Sequence, residues 1–221
     1  MKNLIKCELI VGVLALQTMV VSAQPYSGFG EPPPIGGTVI DFDSTTPGGY
    51  DSLTIDNVTF NGVAHDGYGT TFSIGSDFNG SFNNSGGQSL LNGFSLSPDA
   101  FSFVFGSPVS NFAFNFGASD NDWQLTAYDA GNGVLGTMTI PPVHGSNAGD
   151  YFGIAAPGIA YATLVDLDDQ DNTDFAGDYI FIDDFTYVGG GTSAPDTGSS
   201  LALFGMALVP LLAIARKTRT A

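Results

Sequence analysis

The chain has 221 residues, and its 22 acidic residues against five basic ones give a formal net charge of −17. All five lysines and arginines lie in the first six or the last six residues, so the long interior carries only negative charge. Because phosphate groups are bound by Lys and Arg, this composition argues against nucleic acid as a partner and against phosphoryl transfer. The single cysteine, Cys7, lies near the N-terminus, so disulfide and thiol chemistry are not expected in the interior.

The first 23 residues have the three parts of a secretory signal peptide. Two lysines precede an apolar stretch from Leu9 to Val21, and the stretch closes on the small-x-small pattern Val-Ser-Ala. We therefore expect an N-terminal signal helix that directs export, with cleavage after Ala23. The alternative is a buried N-terminal helix.

Residues 24–37 are rich in Pro and Gly, and three consecutive prolines exclude a helix and favour an extended leader. In residues 38–188, apolar and polar residues alternate in short runs, as they do in strands. The runs "FSFVFG" and "NFAFNFG" each place three phenylalanines on one face, which predicts core strands. Turn residues separate the runs, among them Asn61-Gly62 and Ser107-Pro108, and "FNGSFNNSGGQSLLNG" predicts a long surface loop.

This interior contains no convincing amphipathic helix, and strands without intervening helices pair antiparallel in two packed sheets. The sequence therefore predicts an all-β domain, an antiparallel β-sandwich of eight to ten strands in the form of a jelly roll. The stretch "DAGNGVLG" predicts a tight hairpin between the strand of Trp123 and the strand of Leu135.

The C-terminal region has a linker with a short motif (residues 189–200), an apolar run (201–215) and a basic tail (216–221). Fifteen apolar residues in a helix span about 22 Å, which is short of the roughly 30 Å hydrocarbon core. The three-part order resembles the PEP-CTERM family of sorting signals, in the variant whose motif reads Val-Pro-Asp-Ser-Gly. The matching residues are Pro195, Asp196, Thr197 and Gly198, with Arg216 after the apolar run.

That resemblance implies that residues 201–215 form a short C-terminal apolar helix held transiently in the membrane. An exosortase-like enzyme would cut at the motif and sort the protein to the cell surface or extracellular matrix. Two residues depart from the family motif, because Ala194 stands for Val and Thr197 for Ser. The motif also fits the sortase signal Leu-Pro-x-Thr-Gly, except that Ala194 stands where Leu is expected. Sortase attachment to a cell wall and a plain membrane anchor are therefore the alternatives.

The interior resembles exported jelly-roll domains related to carbohydrate-binding modules, through "VIDFDS" near its start and "YIFIDDFTYV" at its end. In that group an acidic first strand, which here would carry Asp41 and Asp43, lies close to an "IDD" final strand, and the two often share a structural calcium ion. The resemblance therefore implies a calcium site made by Asp41 and Asp43 with Asp183 and Asp184.

The residues themselves also direct attention to Asp183 and Asp184. Strand alternation requires one of them to point inward, and a buried carboxylate is costly without a partner. The domain has no Lys or Arg, so calcium or a cap of backbone N–H groups must serve instead. Asp168, in the acidic stretch "DLDDQDNTDFAGD", is a further possible ligand, although this stretch could equally be a solvated loop.

Aromatic side chains suggest a sugar-binding role with two candidate residues, Trp123 and Tyr68, although Trp123 could instead belong to the core. Catalysis has little support, because the two histidines, His65 and His144, lie in apparent loops and no nucleophile-elbow motif occurs. We therefore expect a non-enzymatic surface or matrix protein, with exopolysaccharide or other matrix proteins as partners. A secreted polysaccharide hydrolase is the competing possibility, since such an enzyme needs only two placed carboxylates.

Overall fold

The computed structural model of the chain describes residues 22–29, 37–64, 69–76, 87–92, 98–143, 150–167 and 179–189. These residues form twelve strands and no helix, and every strand pair among them is antiparallel. The predicted all-β antiparallel sandwich is thereby confirmed, with more strands than expected because several are only three or four residues long. The predicted signal helix, the sorting motif and the C-terminal apolar helix lie outside the described residues.

The strands are, in chain order, β1 Gln24–Phe29, β2 Thr38–Ile40, β3 Gly48–Tyr50, β4 Ser52–Ile55, β5 Val58–Val63, β6 Phe72–Gly75, β7 Ser89–Leu91, β8 Ala100–Gly117, β9 Trp123–Tyr128, β10 Val134–Ile140, β11 Asp150–Asp166 and β12 Phe181–Gly189.

The longest strand, β8, bends so that its two halves face each other. Phe105 contacts Phe112, and Phe103 contacts Phe114, with 5.6 Å between ring centroids in both pairs. The partners in each pair lie equally far from a midpoint at residues 108–109, so the strand turns a corner there. Strand β11 pairs with both halves, and its register shifts near the same corner. A strand that passes from one sheet to the other through a bend is a known way to build a sandwich.

The corner divides the strands into two sheets that share β8 and β11. The first sheet has the order β10-β9-β11-β8-β5-β4. The second contains β1, β11, β8 and β12, and it continues through β7, β6 and β3, while β2 also pairs with β12. Aromatic rings fill the space between the sheets: Phe185 of the second lies 5.1 Å from Phe60 and 5.2 Å from Phe103 of the first. All six phenylalanines of the two predicted core runs are buried, which confirms that prediction.

Two predicted turns lie inside strands. Ser107-Pro108 forms the corner of β8, where the strand changes sheet while β11 pairs with it on both sides of the corner. Asn61-Gly62 lies within β5, and the real turn is at Asp56-Asn57, where Asp56 has a φ of 50°. Gly62 is required for close packing, because a Cβ there would lie 1.9 Å from the carbonyl oxygen of Thr70.

Two further segments belong to the sandwich although the sequence assigns them elsewhere. Residues 89–91 of the predicted surface loop form β7, which is buried. Residues 24–29 of the predicted leader form β1, which pairs with β11 over its whole length. The hydroxyl of Tyr26 reaches across to Asn111 and to the carbonyl oxygen of Phe112, and burial raises its pKa.

The predicted hairpin is confirmed between β9 and β10. One carboxylate oxygen of Asp129 accepts hydrogen bonds from the backbone N–H groups of Gly131 and Gly133, both at 2.8 Å. Asn132 adopts the left-handed backbone conformation with a φ of 65°, which Asn tolerates better than most residues.

Candidate functional site

The aspartate pair of the last strand lies at a β-bulge. Asp183 is opposite Asn115 of β8, whereas Thr186 is opposite Ala113, so β12 contains one residue more than its partner over this interval. Asp184 has a φ of 45°, in the left-handed region. A bulge of this kind bends the strand and redirects side chains, and bulges are frequent at functional sites.

The bulge buries Asp183 completely while Asp184 is only partly buried, so the prediction that one of the pair points inward is confirmed. One carboxylate oxygen of Asp183 accepts a hydrogen bond from the backbone N–H of Asp184 at 2.8 Å. The other accepts from the hydroxyl of Ser89, on β7, at 3.3 Å. Of the cap of backbone N–H groups that the sequence offers as an alternative to calcium, one N–H is seen, and a side-chain hydroxyl bonds the other oxygen.

Asn115 joins the same cluster from the opposite strand. Its side-chain N–H donates to Asp184 Oδ2 at 3.0 Å. Its carbonyl oxygen, Oδ1, is buried without a hydrogen-bond partner, which is an uncommon and costly state for a buried acceptor. We call Asp183, Asp184, Asn115 and Ser89 the bulge cluster.

Asp41 and Asp43 lie in the turn that follows β2, not on a strand as the sequence suggested. Asp41 accepts the backbone N–H of Asp43 at 3.1 Å, and Asp43 accepts the backbone N–H of Gln88 at 2.7 Å. The Asp43 carboxylate also packs directly against Gly87, where an added Cβ would lie 1.7 Å from its oxygen. Asp43 therefore holds the chain just before β7, at the residue that precedes Ser89 of the bulge cluster.

Among the described residues, the predicted ligands Asp41, Asp43, Asp183 and Asp184 are not gathered into one shell. In the part of the chain that the structure describes, no group of three or more His, Cys, Asp or Glu side chains is placed to hold a metal ion. The predicted ligand Asp168 lies outside the described residues. What the bulge cluster offers is two carboxylates, one unpartnered amide oxygen and one hydroxyl, which are all oxygen donors of the kind calcium takes.

Trp123 is fully buried, with its ring against Phe101 at 6.5 Å and Phe116 at 6.0 Å. The core interpretation of this residue is correct, and stacking on a sugar is wrong, because its ring has no exposed face. The polar groups beside it are structural: Asn121 donates to the buried carboxylate of Asp166 at 3.0 Å. The other predicted sugar-stacking residue, Tyr68, lies outside the described residues.

The outer face of the first sheet is a surface that the sequence did not indicate. Pairing registers align two rows of side chains across all six strands of this sheet. The hydroxyl row consists of Thr137, Thr126, Thr163, Ser102, Asn61 and Ser52. The mixed row consists of Val134, Tyr128, Tyr161, Val104, Thr59 and Thr54.

None of these side chains is charged, in a domain with so many aspartates. Neighbours within the rows bind one another: Ser52 donates to Asn61 at 2.7 Å, and the hydroxyls of Thr54 and Thr59 are 2.9 Å apart. Rings of Tyr128 and Tyr161 stack with 4.6 Å between centroids and 8° between planes. Only the strand register could reveal these rows, since their members are far apart in sequence.

His65, His144 and the motif residues Pro195 to Gly198, with Arg216, lie outside the described residues. No helix in the described ranges is long and apolar enough to cross a membrane.

Comparison with known proteins yields similarity of structure alone. No family model and no curated protein matches the chain. Among solved structures, the enzymatically active domain of tailspike protein 4 from bacteriophage CBA120 is 16% identical with a TM-score of 0.36, over 62% of this chain and 20% of that one. TmCBM61 in complex with β-1,4-galactotriose is 14% identical with a TM-score of 0.31, over 53% of this chain and 81% of that one.

A DUF4465 family protein from Bacteroides ovatus is 11% identical with a TM-score of 0.27, over 75% of this chain and 98% of that one. This chain therefore spans about a fifth of the tailspike domain and most of the other two proteins. At such low identities and TM-scores, none of the three bears on the ligand or activity of this chain.

Proposed function

We propose that the chain is an exported, non-enzymatic protein of the cell surface or the exopolysaccharide matrix, where it adheres to glycan. The observation that carries the proposal is the uncharged outer face of the first sheet, in a domain without Lys or Arg. Such a face offers hydroxyl and amide groups to an uncharged polar partner. The acidic groups around it repel polyanions and other copies of the protein.

Export and sorting are supported by the two termini of the sequence. Expression of the full chain, followed by cell fractionation and intact-mass measurement of the surface fraction, tests them. We expect a mature protein that begins at Gln24 and has lost Arg216, and an Asp196→Ala variant that stays membrane-bound and uncut. A mature mass that includes Arg216 contradicts removal of the tail, and covalent attachment to a cell wall supports the sortase alternative.

The absence of catalysis is part of the same proposal. Asp183 and Asp166, two buried carboxylates among the described residues, accept hydrogen bonds that hold strands or loops together. Release of new reducing ends from a panel of polysaccharides distinguishes the hydrolase alternative. We expect none, and sustained release would replace adhesion by hydrolysis.

Calcium remains in the proposal in a narrower form than the sequence predicts. The unpartnered Oδ1 of Asn115 beside Asp183 and Asp184 supports a cation here, where its positive charge would face two carboxylates. With extracellular-type affinity, 10 mM calcium should raise the melting temperature by about 3–10 °C relative to chelator.

Two variants locate this effect. Asp183→Asn should abolish the calcium-dependent shift. Asp41→Asn should retain it, because the Asp41 carboxylate accepts the Asp43 N–H in an exposed turn. Identical melting curves with calcium and with chelator contradict the calcium site.

A further inference from the structure

We propose that an extended, neutral polysaccharide binds across the outer face of the first sheet, along a stripe of Val134, Tyr128, Tyr161 and Val104. The inference rests on the proposed function, since it names the binding surface and the ligand class of a glycan-adhering protein. It differs from the sugar-stacking site expected at Trp123, which is buried.

The stripe is apolar and accessible. Val134 is 63% exposed and Val104 is 40% exposed, and they are among the few large hydrophobic side chains that the described surface exposes. Strand pairing places Val134 beside Tyr128, Tyr128 beside Tyr161, and Tyr161 beside Val104. Scattered exposed valines need no explanation, but here two exposed valines flank a half-buried, stacked pair of tyrosine rings, and the four side chains form a continuous strip. The C–H faces of sugar rings pack on such aliphatic and aromatic groups.

The hydroxyl row runs beside the stripe and supplies the polar half of the surface. The hydroxyl of Thr137 donates to that of Thr126 at 3.3 Å, and the Asn61 amide donates to Ser102 at 3.2 Å. Thr126 is buried, whereas Thr137 and Ser52 at the two ends of the row are exposed. Each hydroxyl has one donor and two acceptor positions, so these accessible hydroxyls keep capacity for a ligand. A strip of apolar groups beside a row of hydroxyls matches a sugar chain, which has both kinds of group along its length.

The rows fix the direction and the length of the ligand. They run perpendicular to the strands, and six strands spaced 4.7–4.9 Å apart give a row of about 24 Å. One sugar ring would cover only one or two positions of such a row. An extended polymer chain lying across the strands covers all of it.

The negative charge of the domain favours a neutral polysaccharide over an anionic one. Residues 24–195 contain twenty acidic residues, which are the 22 of the whole chain without Glu8 and Asp196, and no basic residue. Anionic polysaccharides are therefore repelled by the acidic groups around this face. A second copy of the chain brings the same negative charge, so self-association through the stripe is disfavoured for the same reason.

Binding of the full-length chain to immobilised cellulose, mannan and galactan, with pectate and alginate as anionic counterparts, tests the proposal. A detergent without a sugar headgroup keeps the apolar termini soluble. Val104→Asp introduces a charge into the stripe, and Val39→Asp makes the same change at a 54% exposed position of β2, away from the first sheet. Val134→Asp is a second stripe variant at the most exposed position, and thermal unfolding confirms that each variant is folded.

We expect retention on at least one neutral polymer, weakened at least about tenfold by either stripe variant and unchanged by Val39→Asp. Binding that survives both stripe variants overturns this site while glycan adhesion itself stands. Retention on no neutral polymer, or on the anionic polymers alone, overturns the ligand class. If the protein is a dimer in solution and Val104→Asp dissociates it, self-association replaces glycan binding as the role of the stripe. None of these results affects the prediction of export, which cell fractionation tests separately.

Discussion

The corner in β8 predicts energetic coupling between residues eleven positions apart in one strand. Phe103 and Phe114 lie on opposite sheets with ring centroids 5.6 Å apart, and both are fully buried. Replacing either with Leu keeps most of the volume, so each single change should cost about 1–1.5 kcal/mol. Each single substitution already removes the interaction between the two rings, so its energy is included in both single-variant values. The double variant should therefore be less destabilised than the sum by about 0.5–1.5 kcal/mol.

The chain supplies a matched control pair in the same strand. Phe101 and Phe112 are also eleven residues apart and fully buried, but their rings do not pair with each other, since they lie asymmetrically about the corner. Their Phe→Leu changes should add within about 0.5 kcal/mol.

Urea unfolding followed by the fluorescence of the single tryptophan, Trp123, measures both cycles. A total stability of about 5–15 kcal/mol leaves room for the double variants to fold. Additive energies for Phe103 and Phe114, or equal coupling in the control pair, would refute the folded-over strand.

Two further predictions concern packing and pH. Gly62→Ala should destabilise the protein by more than about 2 kcal/mol, because its Cβ would overlap the carbonyl oxygen of Thr70. Gly75→Ala is the control and should be nearly neutral, because its Cβ meets no atom within 4 Å. Equal chemical-denaturation midpoints for the two variants would contradict this prediction. Burial raises the pKa of the Asp150 carboxyl above 3.8. The contribution of this group to the free energy of unfolding is therefore fully present below pH 3.8 and is lost as the pH rises through the raised pKa. Asp150→Asn should therefore raise the melting temperature modestly at pH 7 and leave it unchanged below pH 3.8, and an equal gain at both pH values would contradict the shift.

Local sequence patterns were sufficient to predict the class of fold. Alternating phenylalanines predict buried strands because neighbouring side chains in a strand point to opposite faces, whatever the strand pairs with. The same rule predicted that one of Asp183 and Asp184 is buried. The hairpin over residues 129–133 was equally predictable, since Asp, Gly and Asn favour such a turn through their own backbone chemistry.

Turn signals failed where a residue serves packing instead of chain reversal. Gly62 is required by a carbonyl group eight residues away, which approaches only after β5 has paired. Ser107-Pro108 does change the direction of the chain, but β8 continues as one strand and pairs with β11 on both sides of the corner. The residues that flank Gly62 and Ser107-Pro108 in the sequence indicate neither of these tertiary contacts.

The sequence by itself determined the all-β class, the aromatic interior and the need to neutralise or cap a buried aspartate, because these depend on residue type and on spacing along the chain. Only the tertiary structure decided that Asn115 and Ser89 meet Asp183, and that uncharged side chains from six strands form one face. Both depend on register, which long-range pairing and core packing set together. A shift of one residue would turn each row to the opposite face of the sheet.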